Sequence, residues 1–459
     1  MATLRKAVGL PTVIATSTGL ALATVSLTAN VQIGQNLPGA SGWLAVVAAG
    51  LISVLASWCF AELVGIFPTA AGIKLFIEKA FGEKAALLCA TLYVGITVLI
   101  VGSESYILAS VLHYALPAVP QAVFVFGFLA LMTVVNLRGI TFSGITQDVT
   151  TYVMIALILV LSAWALWRPG APPVTDAFAL GSGFSTAQAV ALGVFLYLGF
   201  EWVTPLAEEV TDFHLIPRGM LWSLVILAVV YALLHIGMMT AVPKAELASS
   251  PIPHVLFGQA ALGRVGMLAM AAVSALASVT SFNAGLMTAS RFLYAMARDN
   301  AAPPALAKLH PDWATPWAAI LTLFGLCSVM AGFVLGTGHY KLFIFLGAAI
   351  ECMIFVAMAA SVLKLRRTMP HLVREFKVPG GTVVPWLVAV LYALLFVLVF
   401  VPDPAHPGDA PAQMGALLAF VIAALAVGAY VQWLVPWLRA RAAPPPGQAK
   451  RRRRPGAGA

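Results

Sequence analysis

Three glutamates sit in stretches that are otherwise apolar: Glu104 within Val101-Gly102-Ser103-Glu104-Ser105-Tyr106, Glu201 within Leu198-Gly199-Phe200-Glu201-Trp202, and Glu351 among small residues. A carboxylate in such surroundings binds a cation, either an ammonium group or a proton, or else serves a structural hydrogen bond. Glu104 is flanked by hydroxyls that can donate to it or to a ligand. Glu201 lies beside Phe200 and Trp202, whose ring faces attract an ammonium as the carboxylate does. Glu104 and Glu201 are read as substrate or proton sites, and Glu351 as a packing or hydrogen-bonded residue. His235 is read as satisfied by a neighbouring backbone carbonyl rather than as a proton relay. Glu62, Glu208 and Glu209 fall near the ends of apolar runs, where a solvated face or a salt bridge at a gate accounts for them.

The elements that must position these groups are set by composition. Of 459 residues, 61% are hydrophobic and 9% charged, against about 25% charged in soluble domains. A water-soluble fold is excluded. A spanning helix needs about 20 apolar residues, and about twelve such stretches follow one another, near 9–33, 42–66, 85–112, 121–137, 145–167, 186–207, 217–242, 265–296, 315–336, 341–363, 384–402 and 412–438. Arg5 and Lys6 ahead of the first run resemble a signal peptide, but no small-residue cleavage site follows, so it is read as a retained span. Cys59, Cys89, Cys327 and Cys352 all fall inside spans, giving neither a disulfide framework nor a metal-ligand spacing. No cofactor or metal is expected. No Walker loop, Gly-x-Ser-x-Gly elbow or His-Glu-x-x-His pair is present, which argues against an enzyme or an ATP-driven pump.

Two spans interrupt themselves. Ser17-Thr18-Gly19 sits in the middle of the first, where hydroxyls compete for backbone bonds and glycine weakens a helix. In the sixth, Gly199-Phe200-Glu201-Trp202 is followed by Pro205, which removes a backbone donor. Irregular backbone at membrane depth is tolerated where it lines a cavity, and breaks at corresponding positions of two repeats point to a transport site. The bland alternative is that Gly19 and Gly199 allow close helix packing. The matched positions favour a binding site built from Ser17, Thr18, Gly19, Glu104, Gly199, Phe200, Glu201 and Trp202.

Cytoplasmic loops carry excess Lys and Arg. Placing both termini inside leaves only Arg168, Lys244, Arg264 and Lys341 outside, so a multi-pass protein of the plasma (inner) membrane with cytoplasmic N- and C-termini is expected. The net charge of +9 has its densest source in Lys450 to Arg454, behind a Pro-rich linker. Such a tail meets anionic lipid more simply than nucleic acid. Trp43, Trp167, Trp433 and Trp437 read as interface anchors.

From Val8 to Gly380 the motifs resemble the amino acid, polyamine and organocation superfamily. Ala61-Glu62-Leu63, Pro68-Thr69-Ala70-Ala71-Gly72 and Ala80-Phe81-Gly82 look like its signature after the second span, and Asn136-Leu137-Arg138-Gly139 like its turn before the fifth. Gly199-Phe200-Glu201 through Glu208-Glu209-Val210 and Ile216-Pro217-Arg218 are similar to its sixth span and following loop. Ser290-Arg291 to Arg298-Asp299 with Thr315-Pro316, and Arg374-Glu375-Phe376-Lys377-Val378-Pro379-Gly380, complete the series.

The resemblance implies an all-α membrane fold of the leucine-transporter type. Residues 1–170 and 171–378 would form two inverted five-helix repeats, 379–438 two further helices and 439–459 a disordered basic tail. It implies secondary transport by alternating access, as a symporter or antiporter, of amino acids. A diamine, polyamine or small-amine (ethanolamine-like) carrier or exchanger is the alternative, and a non-transporting sensor or assembly subunit a third reading, for which neither terminus has room for a signalling domain. The family's Gly-Ser/Thr-Gly sequence matches Ser17-Thr18-Gly19, with serine for the first glycine. Some members carry a lysine in the fifth span, where counting from Gly139 places Met154, so no internal ammonium is expected. Ser278, Thr280 and Ser281 match hydroxyls that form a cation site in sodium-coupled relatives, or bond back to their own helix. With titratable glutamates at depth, protons are favoured over Na+ as the coupling ion. No oligomeric state follows from the sequence.

Overall fold

A computed structural model describes residues 6–35, 37–250, 252–402 and 407–442. Arg5 and the basic tail at Lys450 to Arg454 lie outside the described residues, which form helices and no β-strand beyond one isolated bridge, Val8 to Val210.

The first span is split into α1 (Leu10–Ala21) and α2 (Thr24–Gly34), bent by 60°. Then follow α3 (Gly42–Ile66), α4 (Gly72–Phe81), α5 (Glu83–Ala115), α6 (Gln121–Leu137) and α7 (Ile140–Trp167). The sixth span is α8 (Gly183–Phe195) continued by a 3₁₀ segment, Phe200–Glu208. Next come α9 (Leu215–Ala241), the short α10 (Lys244–Ser249), α11 (Pro253–Arg298), α12 (Trp317–Thr337) and α13 (Tyr340–Thr368). The chain closes with α14 (Val383–Val399), α15 (Ala410–Ala429), a π-helical turn at Tyr430–Leu434 and α16 (Val435–Ala442).

Nine helical stretches among the described residues are long and apolar enough to cross a membrane, and the bent α1–α2 pair supplies a tenth. The remaining two expected spans are the shorter apolar helices α6 and α14. Exposed leucines, valines and tryptophans, such as Leu51, Val160, Val329, Leu425 and Trp433, cover the outer face, as a lipid solvent requires.

Three local features depart from the sequence reading. Ser17, Thr18 and Gly19 are regular helix within α1, and the first span breaks instead at Leu22 and Ala23, where ψ turns to 47° and then 158°. Gly72–Phe81 forms an extra amphipathic helix with Lys74 on its buried side. The eighth span is extended backwards by Pro253–Leu262, joined to the main helix through Gly263 at φ +56°. There Gly258 and Gly266 pack too closely for any side chain.

Candidate functional site

The two interruptions meet. Gly199 adopts φ +104°, which L residues avoid, and a Cβ on it would lie 3.3 Å from Leu20 Cδ2 and 3.4 Å from the Ala21 nitrogen. Ser17 Oγ donates to the Phe200 carbonyl across the same junction and lies 2.9 Å from Ser223 Oγ. Thr18 Oγ1 finds no hydrogen-bond partner.

Gly19 is held by close approach rather than by a break. A Cβ there would fall 2.3 Å from Gln147 Nε2, 2.9 Å from Thr151 Oγ1 and 3.2 Å from Thr280 Cβ. Gln147 Nε2 donates to the Ala15 carbonyl at 3.2 Å, and Asn283 Nδ2 donates to Gln147 Oε1 at 2.8 Å. Thr280 Oγ1 donates to the Gly19 carbonyl at 3.3 Å. Gln147 and Thr151 of α7 thus meet the middle of α1, Asp148 and Tyr152 meet its first turn at Thr12 and Pro11, and Met154 is simply buried in α7. Sequence reasoning passed over this polar group; its signal was the presence of Gln147, Thr151 and Asn283 inside apolar runs.

Glu104 reaches from α5 to the start of α2. Its Oε1 accepts from the Thr24 N–H at 2.8 Å and from Ser278 Oγ at 3.0 Å, and its Oε2 accepts from the Val25 N–H at 3.3 Å. A carboxylate on the first free N–H groups of a helix satisfies orphan donors and the positive end of the helix dipole. The flanking Ser103 and Ser105 bond back to Leu99 and Val101 of their own helix. Of the three candidate cation ligands, Ser278 bonds Glu104, Thr280 bonds the Gly19 and Ala277 carbonyls, and Ser281 Oγ has no partner.

Glu201 is fully buried, and Tyr93 Oη donates to it at 3.4 Å. Trp202 stacks on Tyr93 with centroids 4.2 Å apart, while Phe200 packs edge-on against Phe60 and Phe355. The structure brings Glu351 from α13 against Glu201 and the Trp202 indole. Nothing local to either residue in the chain marks this meeting. His235 fits a slot between Gly34 and Gly42, where its Nδ1 contacts the Asn30 carbonyl at 3.2 Å and Asn30 Oδ1 at 2.8 Å, while its Nε2 is buried without a hydrogen-bond partner.

On one side of the junction lies a cavity of about 530 Å³, lined by Leu20, Ala21 and Ala23 at the first break, Leu198 at the second, Glu351, and Gln32, Asp409 and Gln413 farther out. On the other side ion pairs pack the helix ends together. Arg291 Nε holds Glu209 Oε2 at 2.8 Å with both side chains buried. Arg298 holds Glu208 at 2.8 Å, and Glu208 also accepts from Thr69 and Ala70. Glu62 is held by Arg366 and by Arg374 at 3.3 Å. The chain ahead of α1 is tied in as well, with the Ala7 and Val8 N–H groups donating to the Glu209 carbonyl.

An all-helical membrane protein with interrupted first and sixth spans meeting beside a cavity belongs to the class of transport proteins. The family described as Amino acid permease matches residues 8–426; the chain belongs to this family. It is 27% identical over 385 residues to the branched-chain amino acid permease BcaP of Bacillus subtilis, covering 77% of this chain and 80% of that one. It is 28% identical over 379 residues to the human Asc-type amino acid transporter 1, covering 78% and 70%. The human large neutral amino acids transporter small subunit 2 is 24% identical over 381 residues, covering 79% and 69%. These relatives are permeases and transporters, and the chain is likewise a membrane permease rather than an enzyme.

Proposed function

We propose that the chain is a secondary active transporter that moves amino acids by alternating access, binding substrate where the α1–α2 break meets Gly199. The observation that carries this reading is the asymmetry about that junction. A cavity of about 530 Å³ reaches it from one side, and the buried Arg291–Glu209 pair with its neighbours packs the other. A central site open to one face at a time is what alternating access requires.

On this reading, which the excess of Lys and Arg in the expected cytoplasmic loops supports, the packed face is cytoplasmic, the cavity faces outward and the protein lies in the inner membrane. Substrate carboxylate and ammonium groups would meet backbone groups around Ser17, Thr18, Leu22 and Gly199. Protons are the proposed coupling ion, because carboxyls lie at depth while Ser278, Thr280 and Ser281 do not converge as a group. The relatives' names point to branched-chain and large neutral amino acids as the first substrates to try. The test is uptake into proteoliposomes with an imposed pH or sodium gradient. Accumulation driven by the pH gradient is expected; accumulation that needs sodium and ignores pH overturns the coupling, and failure of every amino acid overturns the function.

A further inference from the structure

We propose that the corner between α4 and α5, together with the ends of α13 and α15, binds an anionic phospholipid. Gly82, at φ +89°, turns the chain from α4 into α5. On one side of this corner the Lys364 ammonium, from the last turn but one of α13, lies 4.8 Å from the centroid of the exposed Phe81 ring. On the other side Lys84 Nζ donates to Gln432 Oε1 of the π-helical turn at 3.1 Å. Both partners are neutral and leave the lysine charge uncompensated. The carboxylates of α4 and of the start of α5 are already engaged, Glu78 by Lys74, which also holds Asp299, and Glu83 by Arg439. Among the described residues neither Lys84 nor Lys364 forms an ion pair.

The π-helical turn is a second observation, independent of the charges. Leu418, Val421, Ile422 and Leu425 recur at helical spacing as an exposed stripe on α15, a face that meets acyl chains in a bilayer. The π turn inserts a residue into the helical repeat beyond this stripe. It sets Tyr430 against the Ala301 carbonyl, leaves Gln432 on Lys84 and presents Trp433 at 76% exposure. Tryptophan is favoured at headgroup level. The surface therefore passes from aliphatic side chains to an indole and then to ammonium groups, the order in which a phospholipid presents its chains, glycerol and phosphate.

This order selects a lipid over a free phosphate ion. A free ion gains little from exposed lysines that water already solvates, whereas a lipid phosphate is delivered at this depth by chains lying along the stripe, which raises its effective concentration. A zwitterionic headgroup carries its own cation and offsets the attraction. Each basic residue near an anionic headgroup layer contributes about fivefold in affinity. The basic tail at Lys450 to Arg454 is a separate source of attraction, so it is neutralised in an arm of its own.

The full chain in detergent is titrated with phosphatidylglycerol, phosphatidylcholine and glycerol 3-phosphate, and bound molecules are counted by native mass spectrometry. The wild type is expected to bind phosphatidylglycerol more tightly than phosphatidylcholine by about tenfold or more, and glycerol 3-phosphate should not displace it. Lys84→Gln combined with Lys364→Gln should abolish most of that preference, while Lys84→Arg combined with Lys364→Arg, which keeps both charges, should retain it. Should the double glutamine variant fail to fold, Lys364→Gln alone, which leaves the Gln432 contact intact, should cost about fivefold. Trp433→Ala should weaken both lipids alike. Equal binding of the two lipids by the wild type overturns the site. Displacement by glycerol 3-phosphate also overturns it, in favour of a free phosphate site. A preference that survives in the folded double glutamine variant and disappears when Lys450 to Arg454 are replaced by glutamine assigns the attraction to the tail and overturns the site as well.

Discussion

The backbone of Gly199 lies against Leu20, so that any β-carbon at position 199 would sit 3.3 Å from Leu20 Cδ2 while φ is held at +104°. Both constraints act on one residue and join the two interrupted spans. Gly199→Ala should therefore destabilise the protein by about 1–3 kcal/mol through backbone strain alone, read as a lowered thermal unfolding midpoint in detergent. Transport should fall further than that loss of stability explains, because the junction is also the proposed binding surface. Wild-type uptake in a folded Gly199→Ala would separate the junction from the transport site.

The twelve spans were legible because hydrocarbon thickness dictates their length, and the sixth break was legible because Gly199 and Pro205 are poor helix residues. The first break was placed too early for a physical reason. The Ser17 hydroxyl is turned outward to the Phe200 carbonyl and Ser223, so it does not compete with its own helix. Leu22 and Ala23, which do break, are ordinary helix formers, and the helix after them is capped by Glu104 from a different span. A cap supplied through tertiary structure leaves no local mark. The same limit hid the meeting of Glu201 with Glu351, whose spans are distant in sequence, although each carboxylate stood out by itself.

Glu104 accepts two backbone N–H groups at the start of α2 and one hydroxyl from α11. Glu104→Ala leaves these buried donors without an acceptor, at a cost of about 1–3 kcal/mol. Glu104→Gln keeps the shape and one acceptor oxygen and should fall between. Thermal unfolding of both variants measures the order. Hydrogen exchange at Thr24 and Val25 should rise in each, and unchanged protection there would rule out the capping role.

His214, in the loop after the 3₁₀ segment, contacts Asp212 Oδ1 at 2.6 Å and Glu375 Oε2 at 2.5 Å. Asp212 first and Glu375 second hold its pKa above the ordinary histidine value. A raised folded-state pKa means that the link is fully present below the unfolded value near 6.5 and is lost as pH rises through the folded value. Mobility of the segment around Glu375, followed by a spin label at exposed Val373, should therefore increase from mildly acidic to alkaline pH. His214→Asn should abolish that step, and a pH response surviving in the variant would assign it elsewhere.

The most buried ion pair on the packed face offers the sharpest test of gating. Arg291 and Glu209 are 0% and 1% exposed and joined at 2.8 Å, with a second contact at 3.4 Å. Removing one partner of such a pair strands the other charge, at a cost of about 3–5 kcal/mol. Glu209→Gln leaves Arg291 without its counter-charge in the conformation described here. A conformation in which Arg291 reaches water relieves that cost, so the variant should favour opening on this face. A cysteine at Thr69, beside Glu208 on the packed side, should then react faster with a membrane-impermeant thiol reagent in Glu209→Gln than with Glu209 intact, while substrate applied from the cavity side should bind more weakly. Replacing both partners, Glu209→Gln with Arg291→Met, removes the stranded charge and should bring reactivity back toward its starting value. Equal reactivity in all three proteins would make the pair a structural brace that does not bias the transport cycle.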